Sequence, residues 1–157
     1  MNNLDKNTKA SILIVDDQPN NIKIVSTLLN TKYNLYIANS GAGAIKILEK
    51  VQPDLILLDV MMPEMTGYEA CEIIKSNPDT KDIPIIFLTA KTETEDIVQG
   101  FELGAVDYIA KPFSAKEIVV RIQNHINLSI AMKTIQRQNE EMEEFHSELM
   151  KTNEELI

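Results

Sequence analysis

Five side chains of this 157-residue sequence have types suited to one piece of chemistry: Asp16, Asp17, Asp59, Thr89 and Lys111. Three carboxylates brought together repel and raise one another's pKa unless a cation neutralises them. An all-oxygen set that leaves room for water suits Mg²⁺, which takes one or two carboxylates and keeps several waters. A carboxylate in that setting is also a nucleophile towards phosphorus and forms an acyl phosphate. The transferred group has three oxygens to neutralise, one by the metal, one by a Lys and one by a hydroxyl. Lys111 and Thr89 supply the last two. Singly each residue is ordinary, since an Asp at a strand end is most often a turn or cap residue. The chemistry therefore depends on the elements that gather them.

Short apolar runs precede them at Ile12–Val15, Leu35–Ala38, Leu55–Leu58 and Ile85–Leu88, with a weaker fifth at Tyr108–Ala110. Asp16 and Asp17 follow the first run, Asp59 the third, Thr89 the fourth and Lys111 the fifth. The strong runs are continuous rather than alternating, which predicts strands buried on both faces of a parallel sheet. Helical periodicity fills the gaps: Ile22, Val25, Leu28 and Leu29; Ala44, Ile45, Leu48 and Val51; Tyr68, Cys71, Ile74 and Lys75; Ile97, Val98, Phe101 and Leu103. Thr66…Glu69, Thr92…Glu95 and Ser114…Glu117 match the capping box that opens a helix. Asn77-Pro78-Asp79 is a turn that closes the third helix. Five strand–helix repeats in 126 residues predict an α/β doubly wound fold, whose ligands sit at the carboxyl ends of the strands.

Ile12-Leu-Ile-Val-Asp16-Asp17, Leu57-Leu-Asp59-Val-Met-Met-Pro63-Glu-Met-Thr-Gly67, Leu88-Thr89-Ala90 and Asp107-Tyr-Ile-Ala-Lys111-Pro112-Phe113 resemble the signature motifs of the receiver domain of two-component response regulators, in order. The resemblance implies a flavodoxin-like sheet of order 2-1-3-4-5 over residues 10–126. It implies that Asp59 accepts a phosphoryl group from a phosphohistidine on a sensor histidine kinase or phosphotransfer protein. Asp16, Asp17, Asp59 and the backbone carbonyl of Met61 would hold Mg²⁺. Thr89 and Tyr108 match the family's switch pair: Thr89 moves to the phosphoryl oxygens and the aromatic ring turns inward. Lys111 pairs with the phosphate, and the Lys111–Pro112 bond is expected to be cis. Pro63 and Gly67 read as turn geometry.

From Lys116 onward no strand, Gly or Pro signal appears. Leu128, Ile135, Met142, Leu149 and Leu156 recur every seven residues, each preceded at three residues by His125, Met132, Asn139, His146 and Asn153. Placed at d and a, they predict a coiled coil, with Asn at a favouring a parallel two-stranded register. A parallel homodimer through 125–157 is expected, and residues 1–9 read as a polar tail. The heptad runs to the last residue without a stop signal, so an output module beyond Ile157 is expected. His125 and His146 have no Cys partners for zinc. The segment around His146 lacks the acidic residue and Pro run of a kinase phosphoacceptor helix.

Composition narrows the partners. Twenty-four acidic residues against fifteen basic ones give a net charge of −9, while 44% hydrophobic residues permit a core. Residues 127–157 hold three basic and seven acidic residues, nearly half the excess. Such a balance works against direct contact with nucleic acid or an anionic membrane. The one cysteine, Cys71, excludes an intrachain disulfide. The polar Met1–Lys6 has no apolar signal core, and no apolar run approaches the ~18 residues that span a membrane. A soluble, cytoplasmic chain is expected.

The residues speak against three other functions. A haloacid-dehalogenase-type phosphohydrolase needs an Asp two positions after its nucleophile, where this chain has Met61. An FMN-binding flavodoxin needs a Ser/Thr/Gly first loop to cradle phosphate, where Asp16-Asp17 would repel it. A phosphorylation-independent receiver-like dimerisation or adaptor module would not need the complete acidic, hydroxyl and Lys set. The reading is a signalling switch, not an enzyme.

Overall fold

The computed structural model describes residues 9–90 and 93–155. They form β1 (Ser11–Val15), α1 (Pro19–Leu29), β2 (Asn34–Ala38), α2 (Gly41–Leu48), β3 (Leu55–Leu58), α3 (Gly67–Ser76), β4 (Ile85–Thr89), α4 (Thr94–Glu102), β5 (Asp107–Ala110) and α5 (Ala115–Glu155). All strand pairs are parallel, in the order β2-β1-β3-β4-β5. The predicted flavodoxin-like topology is therefore the observed one. Chain contacts divide the protein into two units, the first ending at Ile126 and the second beginning at Asn127.

The continuous apolar runs are explained by the two-residue side-chain period of a strand. Leu13, Val15, Ile56, Leu58, Ile85 and Phe87 join one core, against Ala44 and Leu48 of α2 and Ala70, Cys71 and Ile74 of α3. The alternate residues Ile12, Ile14, Leu55, Leu57, Ile86 and Leu88 join the other. There they meet Val25 and Leu29 of α1 and Ile118, Ile122 and Ile126 of α5, the last three spaced by one helical turn.

Two expectations of burial change. The run at Leu35–Ala38 is an edge strand, with Tyr36 and Ile37 exposed, because nothing among the described residues pairs beyond β2. In α4 the apolar residues Val98 and Phe101 are exposed, and the buried position is Gly100.

The start signals act as hydrogen bonds. Thr66 Oγ1 accepts from the Glu69 amide at 3.2 Å, and Ser114 Oγ from the Glu117 amide at 3.0 Å. Ser40, not anticipated, caps α2 through the Gly43 amide. Of the Thr92…Glu95 box, Thr92 lies outside the described residues, as do Leu156 of the heptad and residues 1–8. At the end of α3 the Asp79 amide donates to Asn77 Oδ1 at 2.9 Å, the predicted turn. The Asn127–Glu155 stretch is helical, with Leu128, Ile135, Met142 and Leu149 exposed. No helix among the described residues is long and apolar enough to cross a membrane.

Candidate functional site

Parallel register assembles the site. Val15 pairs with Leu58, so the next residues, Asp16 and Asp59, leave neighbouring strands together. Their backbones extend the ladder by one step: the Asp59 amide donates to the Val15 carbonyl at 3.0 Å and the Asp16 amide to the Ala38 carbonyl at 3.2 Å. The Lys111 amide likewise donates to the Thr89 carbonyl at 2.9 Å. The place is the carboxyl edge where strand order reverses between β1 and β3, the crevice that open α/β sheets use for ligands.

One carboxylate oxygen from each of Asp16, Asp17 and Asp59 falls within a set whose members all lie within 4.8 Å of one another. Lys111 Nζ lies 3.1 Å from Asp16 Oδ2 and 3.7 Å from Asp59 Oδ2. Asp16 Oδ1 also accepts from the Gln18 amide at 2.9 Å, which fixes the turn into α1. The Met61 amide points at Asp59 Oδ1 from 3.4 Å. Burial pushes the Asp59 carboxyl above its ordinary range; Lys111 opposes that and Asp16 adds to it.

A divalent cation fits this donor set. Among the described residues, three carboxylates gather beside the Lys111 ammonium, so acidic groups outnumber the cation at hand. Asp17 Oδ1 is buried with no hydrogen-bond partner, a state that costs free energy unless something positive meets it. Oxygen ligands of this kind suit Mg²⁺.

The remaining predicted residues stand on the neighbouring strands. Thr89 ends β4, one strand over from Asp59, and is fully buried. Tyr108 sits in β5, two strands over, paired in register with Phe87. Its ring centroid is 5.9 Å from that of Phe87, and its hydroxyl 3.4 Å from that of Tyr68. Burial, reinforced by the Tyr68 hydroxyl, pushes the Tyr108 phenol far up, so it stays a neutral hydrogen-bonding group. The Lys111–Pro112 bond is cis.

Three features escaped the sequence reading. Gly67 is more than a turn residue: a Cβ there would overlap the Asp59 carbonyl oxygen and stand 2.8 Å from Val60 Cα. Its amide donates to the Val60 carbonyl at 2.9 Å, folding the loop back onto the strand end, and Glu64 in that loop takes a left-handed φ of 69°. Tyr68, the next residue, meets Tyr108. Asp107 holds Arg121 Nη1 at 2.8 Å and His125 Nε2 at 3.0 Å. His125, placed first in the heptad seam, is thus engaged by β5. The one-turn spacing of Arg121 and His125 was visible, but nothing local named their shared acid.

Comparison with known proteins agrees with this geometry. The response regulator receiver domain family matches residues 12–123. A protein of Vibrio cholerae named a probable cyclic di-GMP phosphodiesterase is 45% identical over 136 residues, covering 87% of this chain and 31% of that protein. The DNA-binding response regulator MtrA of Mycolicibacterium smegmatis is 38% identical over 116 residues, covering 73% of this chain and 50% of that protein. This chain thus spans half or less of the length of these curated relatives. The receiver domain of a Pseudomonas aeruginosa sensor histidine kinase, solved with a magnesium ion coordinated in its active site cleft, superposes with a TM-score of 0.71 at 30% identity. The superposition covers 76% of this chain and 99% of that one. Motifs, sheet order and acidic crevice converge with these matches, and the chain belongs to the receiver-domain family of two-component response regulators.

Proposed function

We propose that the chain is a phosphoacceptor receiver in a two-component phosphorelay, modified on Asp59 in a Mg²⁺-dependent reaction. The observation that carries this is the meeting of the Asp16, Asp17 and Asp59 carboxylates beside Lys111 at the sheet's switch point. Asp16, Asp17, Asp59 and the Met61 carbonyl would hold Mg²⁺. When bound, the cation neutralises the excess charge and binds a phosphoryl oxygen.

The transfer itself is a displacement at phosphorus. An Asp59 carboxylate oxygen forms the new P–O bond as the donor's P–N bond breaks. The electron pair leaves with the donor imidazole, which then takes up a proton. Lys111, placed against Asp59, neutralises a second phosphoryl oxygen, and the Thr89 hydroxyl donates to a third. Gly67 keeps the loop close enough for Asp59 to hold its position. The donor is a sensor histidine kinase or phosphotransfer protein in the cytoplasm.

The charge and hydroxyl rearrangement is local, so it must bias a two-state element. Thr89 and Tyr108 form the receiver's half of it. Residues 10–126 constitute the receiver, and 127–157 the output helix. On that helix Leu128, Ile135, Met142 and Leu149 present large apolar surfaces every seven residues. Of the charged residues between 127 and 154, Glu143 alone flanks the seam; the others occupy its outer positions. A second copy in parallel register covers such a stripe, and phosphorylation changes its packing to regulate an output.

Incubation with acetyl phosphate and Mg²⁺, followed by intact-mass measurement, tests the reading. Wild type should gain one phosphoryl group, and Asp59→Asn none. Mg²⁺ binding without an adduct on either protein would favour the phosphorylation-independent adaptor. Sedimentation of the same samples should show a dimer whose dissociation constant differs between the two states; a monomer throughout sinks the dimer.

A further inference from the structure

Helix α4 buries little of itself. Among its residues Gly100 alone is buried, while Val98 and Phe101 are each 47% exposed. A Cβ at Gly100 would stand 3.1 Å from Phe87 Cδ2 and 3.3 Å from Tyr108 Cδ2, so the helix backbone rests directly on those two rings. A polar hold adds to this contact. The Tyr68 hydroxyl, carried by α3, donates to the Asp96 backbone carbonyl in the first turn of α4 at 2.9 Å.

Tyr68 has one hydroxyl hydrogen, and it goes to Asp96. In the contact between the two phenols Tyr108 is therefore the donor and Tyr68 the acceptor. At 3.4 Å that contact is longer than the ~2.8 Å optimum, so the Tyr108 end yields first. The rings close the set: Tyr68 meets Phe87 edge-on at 5.2 Å and 74°, and Phe87 meets Tyr108 at 5.9 Å and 54°.

We propose that Tyr68 is a positioning residue that ties Tyr108 to α4, its hydroxyl relaying the placement of the Tyr108 ring to the first turn of that helix. The proposal rests on the reading of Asp59 as phosphoacceptor with Tyr108 as a switch residue. Hydroxyls in series polarise one another, so the Tyr68–Asp96 bond is strongest when Tyr108 donates. Displacing the Tyr108 ring removes that donor and one of the two rings under Gly100 together. Both holds on α4 weaken at once, which makes ring position and helix seating one two-state element. Without the Tyr68 hydroxyl, ring and helix move separately.

Tyr68→Phe keeps the ring and its stacking on Phe87 and removes only the relay; Tyr108→Phe removes the other hydroxyl. The dissociation constant of beryllofluoride with Mg²⁺, a phosphoryl mimic, is measured by calorimetry on the full chain, wild type, each single variant and the double. Each single variant should shift it by about threefold or more, and the double variant by no more than the larger single shift. Hydrogen exchange of α4 amides keeps the proposal testable if folding stability falls. Ligand should change α4 protection in wild type, and that change should be lost in Tyr68→Phe. Single shifts that multiply in the double variant, or a Tyr68→Phe affinity and α4 response like wild type, overturn the relay while leaving the phosphoacceptor reading intact. Wild type that fails to bind beryllofluoride overturns that reading and the relay with it.

Discussion

Two acids of the same fold unit, Asp59 buried and Asp107 half-buried, live in opposite circumstances. At the carboxyl edge of the sheet, Asp59 shares space with Asp16 and Asp17, and its carboxyl is pushed up by burial. At the start of β5, Asp107 is also penalised by burial. The Tyr108 amide, His125 and Arg121 outweigh that penalty and hold its carboxyl below the ordinary value. One acid shares the Lys111 ammonium with Asp16, and the other is supplied with two partners of its own by α5. The difference separates a place built to receive something from a place built to hold β5 against α5.

The two acidic regions differ most in cation binding. Asp17→Asn removes the carboxylate whose Oδ1 is buried without a partner. It should weaken Mg²⁺ binding by about tenfold or more, as measured by titration calorimetry. Asp107→Asn should leave Mg²⁺ affinity within about twofold, because its acid is already paired. Equal losses in the two variants would erase the distinction between the regions.

They differ next in what they contribute to stability. Asp107→Asn should destabilise the fold by about 1–2 kcal/mol at neutral pH, a modest loss because solvent screens an Arg121 that is 42% exposed. Since the folded pKa lies below the ordinary value of 3.8, the carboxylate's contribution is complete above that value. It is lost as pH falls through the folded pKa. Urea unfolding of wild type and variant should therefore converge in acid. A difference that persists there would place the effect in packing instead of charge.

The two regions were unequally legible in sequence. The runs Ile12–Val15, Leu55–Leu58 and Ile85–Leu88 marked buried strands because every residue faces one of two cores, and the acids after them needed only strand ends to be found. Edge strand β2 read the same way, because Leu35–Ala38 is as apolar as the others and exposure depends on what pairs beyond it. Gly67, Tyr68 and Asp107 act across 7 to 40 residues of chain. Gly67 touches the main chain of Asp59, Tyr68 touches Tyr108, and Asp107 grips a helix that begins at Ala115. Periodicity speaks for a residue's own element and is silent about such partners. Helix α4 shows the same limit: its spacing promised an apolar face, yet a glycine against two rings is what docks it.

The smallest effect carries the opposite sign. Asp59 has a folded pKa above its unfolded one, so the folded state holds the proton more tightly. The native state therefore loses stability as pH rises from 3.8 through the folded value, and that loss is complete above it. Asp59→Asn removes the charge and keeps the shape. In buffer with chelator it should unfold about 1 kcal/mol later than wild type at neutral pH, a gap that closes in acid. Millimolar Mg²⁺ should stabilise wild type more than the variant, because a bound cation supplies what the carboxylates lack. The pair of Asp→Asn substitutions thus separates the regions by sign: one acid removed at a cost, the other at a gain. An Asp59→Asn variant less stable than wild type without Mg²⁺ would mean that the Lys111 contact outweighs burial and that the crevice is satisfied as it stands.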